Sequence, residues 1–245
     1  MKLLKTIFIF ISLSMLNGCK KQEATTIYAF ANTAIATAAP VADSLTYLAL
    51  GDSYTIGQSV PAVQSFPFQL ASQLRNNNYY VTDPVIIAQT GWTTADLKRA
   101  ISNAALTKKF SFVTLLIGVN NQYQNGDTAT YRADFDELVN TSILYANGLR
   151  NHVFVLSIPD WSVTPFASIS GHNIATINAQ INEYNAINES ESKRLGVNYL
   201  NITDISREAK TDNTLLADDG LHPSGLMYLK WVKGLLPLVL PQLKK

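Results

Sequence analysis

The sequence predicts an α/β protein built on a parallel five-stranded sheet with helices on both faces. Short apolar runs alternate with longer helical patterns from residue 45 to the C-terminus. The short runs are rich in β-branched and aromatic residues and lack strict alternation, which is typical of strands buried on both faces. Strands that alternate with helices indicate right-handed crossovers, and these place helices on both faces of a parallel sheet.

The elements follow in order from these patterns. The predicted strands are residues 46–50, 85–88, 112–117, 152–158 and 197–201, and the predicted helices are residues 66–77, 94–105, 131–149, 174–195 and 224–240. Thr93 is expected to cap the second helix, and Gly196 lies just past the end of the fourth. The last helix is short and broken by Pro237, so we interpret it as a packing helix and not as a membrane span.

The N-terminus has the pattern of a targeting segment. Lys2 and Lys5 precede an apolar stretch that is too short to span a bilayer, and the stretch ends in Leu-Asn-Gly-Cys at Cys19, which resembles a bacterial lipobox. We therefore expect residues 1–18 to be a lipoprotein signal peptide and Cys19 to carry a lipid. Residues 19–43, rich in Ala and Thr, are expected to form a flexible tether, and residues 44–245 the folded domain.

This organisation predicts a protein anchored to a membrane of the bacterial cell envelope. Two alternatives remain open: a plain secretory signal with an incidental cysteine, and an edge strand at residues 27–30. Cys19 is the only cysteine, so a disulfide within one chain is excluded. Which membrane face holds the anchor does not follow from the sequence.

Composition limits the function classes. Hydrophobic residues make up 47% of the chain, which is enough for a sizeable core, and the formal net charge is +1. Nucleic-acid binders usually carry a basic patch or stripe, so no nucleic-acid partner is expected. The chain has neither a His-Glu-x-x-His motif nor paired cysteines, so we predict no catalytic metal, and we predict no cofactor. Nothing in the sequence predicts an oligomeric state.

A candidate catalytic element follows each of the first three predicted strands. Ser53 stands in a Gly-Asp-Ser turn after the first strand, Gly91 follows the second, and Asn120 follows the third. The carboxyl ends of parallel strands meet at one edge of a sheet, where open α/β proteins bind their ligands. A serine hydroxyl, a glycine N–H and an asparagine amide at one edge can supply a nucleophile and donors for an oxyanion.

A base for such a nucleophile stands near the C-terminus. His222 follows Asp219 by three residues, so a carboxylate can orient the imidazole. The alternative is that the two residues only begin a helix, with Pro223 at its first position. His152 is interpreted as structural. His172, in the predicted loop 159–173, is interpreted as structural or exposed, with a position bordering a substrate groove as the alternative.

Four aromatic residues, Trp92, Tyr123, Trp161 and Phe166, lie in predicted loops at this edge of the sheet. Aromatic side chains in such loops line substrate pockets in many enzymes, so these residues are candidates for the wall of an acyl or sugar pocket. Packing into the core is an equally good interpretation for any one of them.

Four sequence blocks together resemble the SGNH (GDSL-type) hydrolases. They are Gly-Asp-Ser-Tyr ending at Tyr54, the turn at Gly91, Gly-Val-Asn ending at Asn120, and Asp-Gly-Leu-His ending at His222. The resemblance implies a three-layer, flavodoxin-like α/β/α sandwich. It also implies a serine esterase, lipase or carbohydrate O-deacetylase whose substrate is a small-molecule ester or an acylated sugar.

The same resemblance implies roles for individual residues. Ser53 corresponds to the nucleophile and, through its backbone N–H, to an oxyanion donor, while Gly91 and Asn120 correspond to the other two donors. His222 corresponds to the general base and Asp219 to its orienting carboxylate. The chain departs from the family at Asn121, where aspartate is more usual, and this affects the support of the loop more than the mechanism.

Three rival functions fit the sequence less well. An α/β-hydrolase needs a Gly-x-Ser-x-Gly elbow, but Thr55 stands where the second glycine belongs. A P-loop needs four residues between its glycines and then lysine, whereas Gly51 and Gly57 are separated by five and followed by Gln58. The third rival is a catalytically inactive, lipid-anchored binding protein on the same fold. The intact serine, aspartate and histidine argue against it.

Overall fold

A computed structural model describes residues 44–243 of the chain. Its strands are β1 (Tyr47–Asp52), β2 (Val85–Gln89), β3 (Phe112–Leu116), β4 (Val153–Leu156) and β5 (Asn198–Leu200). They form one sheet in the order β2-β1-β3-β4-β5, and every neighbouring pair is parallel. This is the flavodoxin-like strand order, so the predicted fold class is confirmed.

Helices cover the sheet on both faces. In chain order they are α1 (Ser53–Ile56), α2 (Phe66–Asn76), α3 (Thr94–Ala104), α4 (Val119–Tyr123), α5 (Thr128–Tyr145), α6 (Pro165–Ile169), α7 (Ile174–Leu195), α8 (Thr203–Arg207) and α9 (Gly225–Val239). The crossover from β1 to β2 runs in the opposite direction along the sheet to the three later crossovers. Right-handed connections therefore place α2 on one face, where it packs against α9, and α3, α5 and α7 on the other.

The middle of the sheet is the centre of the core. All residues of β1, β3 and β4 are buried, which explains why their sequences lack a polar face. The Tyr47 and Phe112 rings stack across β1 and β3 at 4.3 Å between centroids, and the Tyr47 hydroxyl bonds Thr114 Oγ1 at 2.8 Å. Such aromatic pairs contribute about 0.5–1.5 kcal/mol beyond their buried area, so they hold the strands that position the site.

The third predicted helix has different ends in the structure. It begins at Thr128 instead of residue 131, because the Asp127 side chain accepts the Thr130 N–H at 2.7 Å and caps the helix one turn earlier. It ends at Tyr145 instead of residue 149, because Asn147 and Gly148 have left-handed backbones with φ of 57° and 81°.

Three smaller expectations also need correction. His152 does not lie in β4 but ends the 3₁₀ turn Arg150–His152, with Nδ1 2.6 Å from the Ser111 carbonyl oxygen. The predicted loop 159–173 contains α6. Helix α9 is not broken at Pro237 but continues to Val239, because Pro237 lies on the exposed side, where water can bind the carbonyl that loses its partner.

The N-terminal predictions lie outside the described residues: the signal peptide, the lipidated Cys19, the tether and the alternative edge strand. Within residues 44–243, no helix combines the length and apolar character needed to cross a membrane. The same residues contain no group of three or more His, Cys, Asp or Glu side chains arranged to hold a metal ion.

Candidate active site

The residues singled out in the sequence meet at the carboxyl ends of β1, β2 and β3. Strand β1 lies between β2 and β3, so the chain changes direction at this point of the sheet, and such switch points are where open α/β folds form ligand crevices. Ser53, Gly91, Asn120 and His222 all line one cavity of about 190 Å³ at this edge. Asp219 lies behind His222 and does not line the cavity.

Each residue of the Gly-Asp-Ser turn suits its position for a different physical reason. A Cβ on Gly51 would lie 2.3 Å from the Leu116 carbonyl oxygen and 2.1 Å from Thr55 Oγ1, so only glycine allows β1 to lie this close to its neighbours. Asp52 caps α1, because its Oδ1 accepts the Tyr54 N–H at 3.0 Å. Ser53 is the first residue of α1, where a backbone N–H has no intrahelical acceptor and can bind an oxyanion.

Gly91 and Asn120 are the two further candidate donors, and both line the cavity. Gly91 lies in the exposed turn after β2 and has a left-handed backbone with φ of 83°, which glycine adopts without strain. The Asn120 Nδ2 donates one hydrogen to the Trp92 carbonyl oxygen at 3.0 Å. This bond orients the amide, and an asparagine amide has a second N–H for a ligand.

Asn121 has a structural role that differs from that of its neighbour. Its Oδ1 accepts the Thr94 N–H at 3.0 Å, and its Nδ2 donates to Thr94 Oγ1 at 2.9 Å. The side chain therefore joins α4 to the first turn of α3 and does not line the cavity. Asparagine at this position supplies the loop support that the departure from the family pattern placed in question.

Asp219 holds His222 from behind. The carboxylate Oδ2 lies 2.6 Å from His222 Nδ1, and Oδ1 accepts the backbone N–H of Leu221 at 3.0 Å and of His222 at 2.9 Å. A carboxylate beside Nδ1 keeps the proton on that nitrogen and leaves Nε2 as an acceptor. The helix-cap alternative is wrong, because α9 begins at Gly225 and Ser224 is its cap.

The two carboxyl groups beside the site have opposite ionisation. Burial alone would raise the pKa of Asp219, but the hydrogen bonds donated by Ser59, His222 and Leu221 outweigh it and lower the pKa to about 2. Asp52 is completely buried, and burial raises its pKa to about 8 although the Tyr54 N–H partly offsets it. Asp219 is therefore an anion at neutral pH, and Asp52 is mainly protonated.

Aromatic rings form the remaining wall of the cavity. Tyr123, Trp161 and Phe166 line it as predicted, together with Tyr54, Thr90, Val119 and Leu221. The Tyr54 ring packs on the His222 ring at 5.1 Å between centroids and limits its movement. Trp92 does not line the cavity. Its carbonyl oxygen instead accepts the hydrogen bond from the Asn120 amide.

Hydrogen bonds and an ion pair to a buried carboxylate hold this wall in place. Trp161 Nε1 donates to Gln122 Oε1 at 2.7 Å, which connects the wall to α4. The buried Asp160 accepts the Ser162 N–H at 2.9 Å and pairs with Arg207 at 2.9 Å. His172 lies at the outer edge, 5.0 Å from Tyr123 between ring centroids, and does not itself line the cavity.

The hydrogen bond from Ser59 to Asp219 is the contact at the site that the sequence did not reveal. Ser59 Oγ donates to Asp219 Oδ2 at 2.6 Å across a separation of 160 residues. Ser59 lies outside the Gly-Asp-Ser-Tyr block, and no spacing rule connects it to Asp219. Tyr54, Val119 and Leu221 lie inside the quoted blocks, so their place at the cavity could have been read from those blocks.

Comparison with known proteins identifies the family of the chain. The sequence matches the model of the GDSL-like lipase/acylhydrolase family over residues 49–230, which is most of the chain. No curated protein sequence matches the chain.

Solved structures with this fold include several hydrolases. A lipase/acylhydrolase from Enterococcus faecalis has a TM-score of 0.63 and 17% identity, covering 82% of this chain and 97% of its own. The acetylxylan esterase Axe2 from Geobacillus stearothermophilus has a TM-score of 0.62 and 16% identity, covering 80% and 94%. The esterase EstA from Pseudoalteromonas has a TM-score of 0.59 and 14% identity, covering 81% and 98%.

At these identities the solved structures establish the fold, and the family match establishes the class of chemistry. The family match extends over the three turns at the sheet edge and the 219–222 turn. The chain therefore belongs to the GDSL-like lipase/acylhydrolase family and is an ester hydrolase of the GDSL type.

Proposed function

We propose that the protein cleaves carboxylic esters through an acyl-enzyme on Ser53. One observation carries the proposal: a serine, two candidate oxyanion donors and a histidine line the same cavity, and an anionic carboxylate holds that histidine. A nucleophile, a base and an orienting group in this arrangement define a serine hydrolase independently of fold.

In the proposed reaction, His222 Nε2 accepts the Ser53 hydroxyl proton while Ser53 Oγ bonds to the ester carbonyl carbon. The tetrahedral intermediate then expels the alcohol, which receives that proton from His222, and an acyl-Ser53 ester remains. Water loses a proton to the same His222 and attacks the acyl carbon. The bond from that carbon to Ser53 Oγ then breaks, Ser53 Oγ takes the proton back from His222, and the acid is released. Asp219 remains ionised and stabilises the imidazolium.

The oxyanion of each intermediate is proposed to bind three donors, the N–H groups of Ser53 and Gly91 and the amide of Asn120. Donors fixed before the reaction stabilise developing charge without reorganising during it. The bond from Asn120 to the Trp92 carbonyl supports this role, because it holds the amide in one orientation.

The size of the cavity supports a short acyl group. Its volume of about 190 Å³ lies below the usual range of roughly 300–1,000 Å³ for ligand pockets, and Val119, Trp161 and Leu221 give it an apolar lining. We propose a substrate with an acyl chain of a few carbons on a sugar or another small alcohol. The fold shared with an acetylxylan esterase supports a sugar ester as one of the alternatives.

A substrate panel tests this proposal. Residues 44–245 are to be assayed with p-nitrophenyl esters of increasing acyl length and with acetylated sugars, beside the Ser53→Ala variant. We expect kcat/KM to be highest for acetate or propionate and to fall for long chains, with no turnover by Ser53→Ala. Long-chain preference would contradict the small acyl site. No hydrolysis by the unmodified protein would favour the inactive binding protein, which the family match does not favour.

We propose that the protein is attached to a membrane of the bacterial cell envelope by a lipid on Cys19. The support is the charged and apolar leader that ends in Leu-Asn-Gly-Cys. Radiolabelled fatty acid supplied to the producing cells should label the full chain but not a Cys19→Ser variant, and the variant should leave the membrane fraction or remain unprocessed. Absence of label in the unmodified chain would contradict the anchor.

A further inference from the structure

Asp219 has one partner that lies outside its own turn. Ser59 Oγ donates to Asp219 Oδ2 at 2.6 Å, the same oxygen that lies 2.6 Å from His222 Nδ1. The other oxygen is occupied by the backbone N–H groups of Leu221 and His222. Backbone donors fix one side of the carboxylate, and Ser59 is the partner that restrains the oxygen facing the imidazole.

Ser59 adopts a backbone conformation that its side chain disfavours. Its φ of 66° is left-handed, a region that non-glycine residues other than Asn and Asp enter rarely. Strain at a residue whose side chain contacts a catalytic group is a reason to infer a function for that residue. The left-handed turn directs the hydroxyl to Asp219. The Ser59 side chain is exposed, so packing against other residues does not explain its position.

The 57–60 loop that carries Ser59 also binds the nucleophile segment. The Gln58 N–H donates to the Ser53 carbonyl oxygen at 3.0 Å, and the Gln58 side chain accepts from Thr90 Oγ1 at 2.6 Å. Ser59 therefore connects two parts of the site that lie far apart in sequence. One part carries the nucleophile, and the other carries the base and its carboxylate.

We propose that Ser59 is a positioning residue that aligns the Asp219 carboxylate with His222 and fixes the 219–222 turn relative to the Ser53 turn. This inference rests on the proposed roles of Ser53, Asp219 and His222. Ser59 does not line the catalytic cavity, so it acts through Asp219 and not on the substrate. Its loss should lower kcat and leave KM nearly unchanged, because the imidazole is then less often in the reactive orientation.

Two substitutions distinguish the effect of losing the hydroxyl from the effect of the backbone conformation. Ser59→Ala removes the hydroxyl and retains the unfavourable left-handed conformation, whereas Ser59→Gly removes the hydroxyl and relieves it. We expect both to lower kcat for p-nitrophenyl acetate about tenfold, as loss of a hydrogen bond to a charged group would. The control is Asn147→Ala, at an exposed left-handed position remote from the site, which should retain kcat.

A wild-type kcat in Ser59→Gly would overturn the proposal, because the hydroxyl would then be dispensable. A second readout is the solvent exchange of the His222 Nδ1 proton in ¹H NMR spectra, which should be faster in both Ser59 variants. Unchanged exchange would also overturn it, because the imidazole would then be held equally well without Ser59.

A double-mutant cycle with Asp219→Asn separates this proposal from the proposed function. If Ser59 acts through Asp219, then Ser59→Ala should cause no further loss in the Asp219→Asn background. A full tenfold loss there would overturn the positioning role and leave the proposed function intact. Full activity of Asp219→Asn alone would instead contradict the proposed function, and the positioning role with it.

Discussion

Two aspartates lie beside the site, one next to the nucleophile and one next to the base, and their environments are opposite. Asp52 is fully buried, its Oδ1 accepts the Tyr54 N–H, and its Oδ2 has no hydrogen-bond partner among the described residues. Asp219 has a side chain that is 31% exposed, and four donors surround its two oxygens. Burial raises the pKa of Asp52 to about 8, whereas the donors lower that of Asp219 to about 2.

The difference shows that donors, and not the residue type, decide which carboxyl group is charged. Four hydrogen bonds outweigh the cost of partial burial at Asp219, while the backbone N–H groups of Tyr54 and Asp52 itself do not outweigh complete burial at Asp52. Of these two carboxyl groups, only the one beside the imidazole is an anion at neutral pH, where the proposed mechanism needs a negative charge to stabilise the imidazolium. A second anion beneath Ser53 would oppose the developing oxyanion, and protonation of Asp52 avoids this.

Replacing each aspartate by asparagine should give the largest difference between the two carboxyl groups. Asp219→Asn should lower kcat by about 10⁴, the loss seen when the orienting aspartate of another Ser-His-Asp enzyme becomes asparagine. Asp52→Asn should change kcat less than about tenfold, because a neutral amide replaces a carboxyl group that is already mainly neutral at pH 7. Steady-state kinetics with p-nitrophenyl acetate measures both.

Equal losses in the two variants would contradict the assignment of one charged and one neutral group. Circular dichroism and thermal unfolding of both proteins serve as the control, so that a folding defect is not read as a catalytic one. A larger loss at Asp52 would move the orienting role away from Asp219.

The turn after β3 contains a second pair, two neighbouring asparagines that have different partners. Asn120 lines the cavity, and Asn121 binds Thr94. Asn120→Ala should lower kcat about 10²–10³-fold, or roughly 2.7–4 kcal/mol, with little change in KM, as loss of one oxyanion donor does. Asn121→Ala should lower kcat much less and should act through the stability of the loop.

The outcome at Asn121 decides how the Asn120 result is read. Similar losses of kcat in the two variants would mean that the shape of the turn, and not a particular hydrogen bond, explains the effect. A larger loss at Asn121 would transfer the donor role to that residue.

The last expected effect is on stability and not on catalysis, and it depends on pH. Between pH 4 and 8 folded Asp52 retains a proton that the unfolded chain has released, so rising pH favours unfolding through this group. The Asp52→Asn variant has no titrating group at this position. Its Tm relative to the unmodified protein should therefore rise by several degrees from pH 5 to pH 8, at roughly 2–4 °C per kcal/mol of unfolding free energy. Asp219, whose pKa is lowered, stabilises the folded protein at neutral pH. This contribution should be lost only as the pH falls from about 4 towards 2.

A Tm difference between Asp52→Asn and the unmodified protein that stays constant from pH 5 to pH 8 would show that Asp52 is ionised throughout. Differential scanning fluorimetry at several pH values is sufficient, because only the difference between the two proteins is interpreted. Other titrating groups contribute equally to both and cancel.

Much of the fold and the candidate site could be predicted from local sequence patterns. Ser53, Gly91 and Asn120 each follow an apolar run, so the parallel sheet that those runs predict brings them to one edge. His222 and Asp219 are three residues apart, so their contact needs only a tight turn. These inferences depend on spacing and on the period of apolar residues, which a single sequence contains.

Other features could not be predicted, because they depend on contacts between distant segments. The hydrogen bond from Ser59 to Asp219 spans 160 positions. The ionisation of Asp52 depends on its complete burial, whereas its sequence neighbours Gly51 and Ser53 indicate only a turn. The continuation of α9 through Pro237 depends on which side of that helix faces solvent.

Covalent labelling can show whether Ser53 is the nucleophile and whether Asp219, not Asp52, supports its base. A fluorophosphonate probe is to be reacted with the unmodified protein and with the Ser53→Ala, Asp219→Asn and Asp52→Asn variants, followed by mass spectrometry of the peptides. We predict a single label on Ser53, no label in Ser53→Ala, slow labelling in Asp219→Asn and nearly normal labelling in Asp52→Asn. A label on another serine, or slow labelling in Asp52→Asn with a normal rate in Asp219→Asn, would contradict the account.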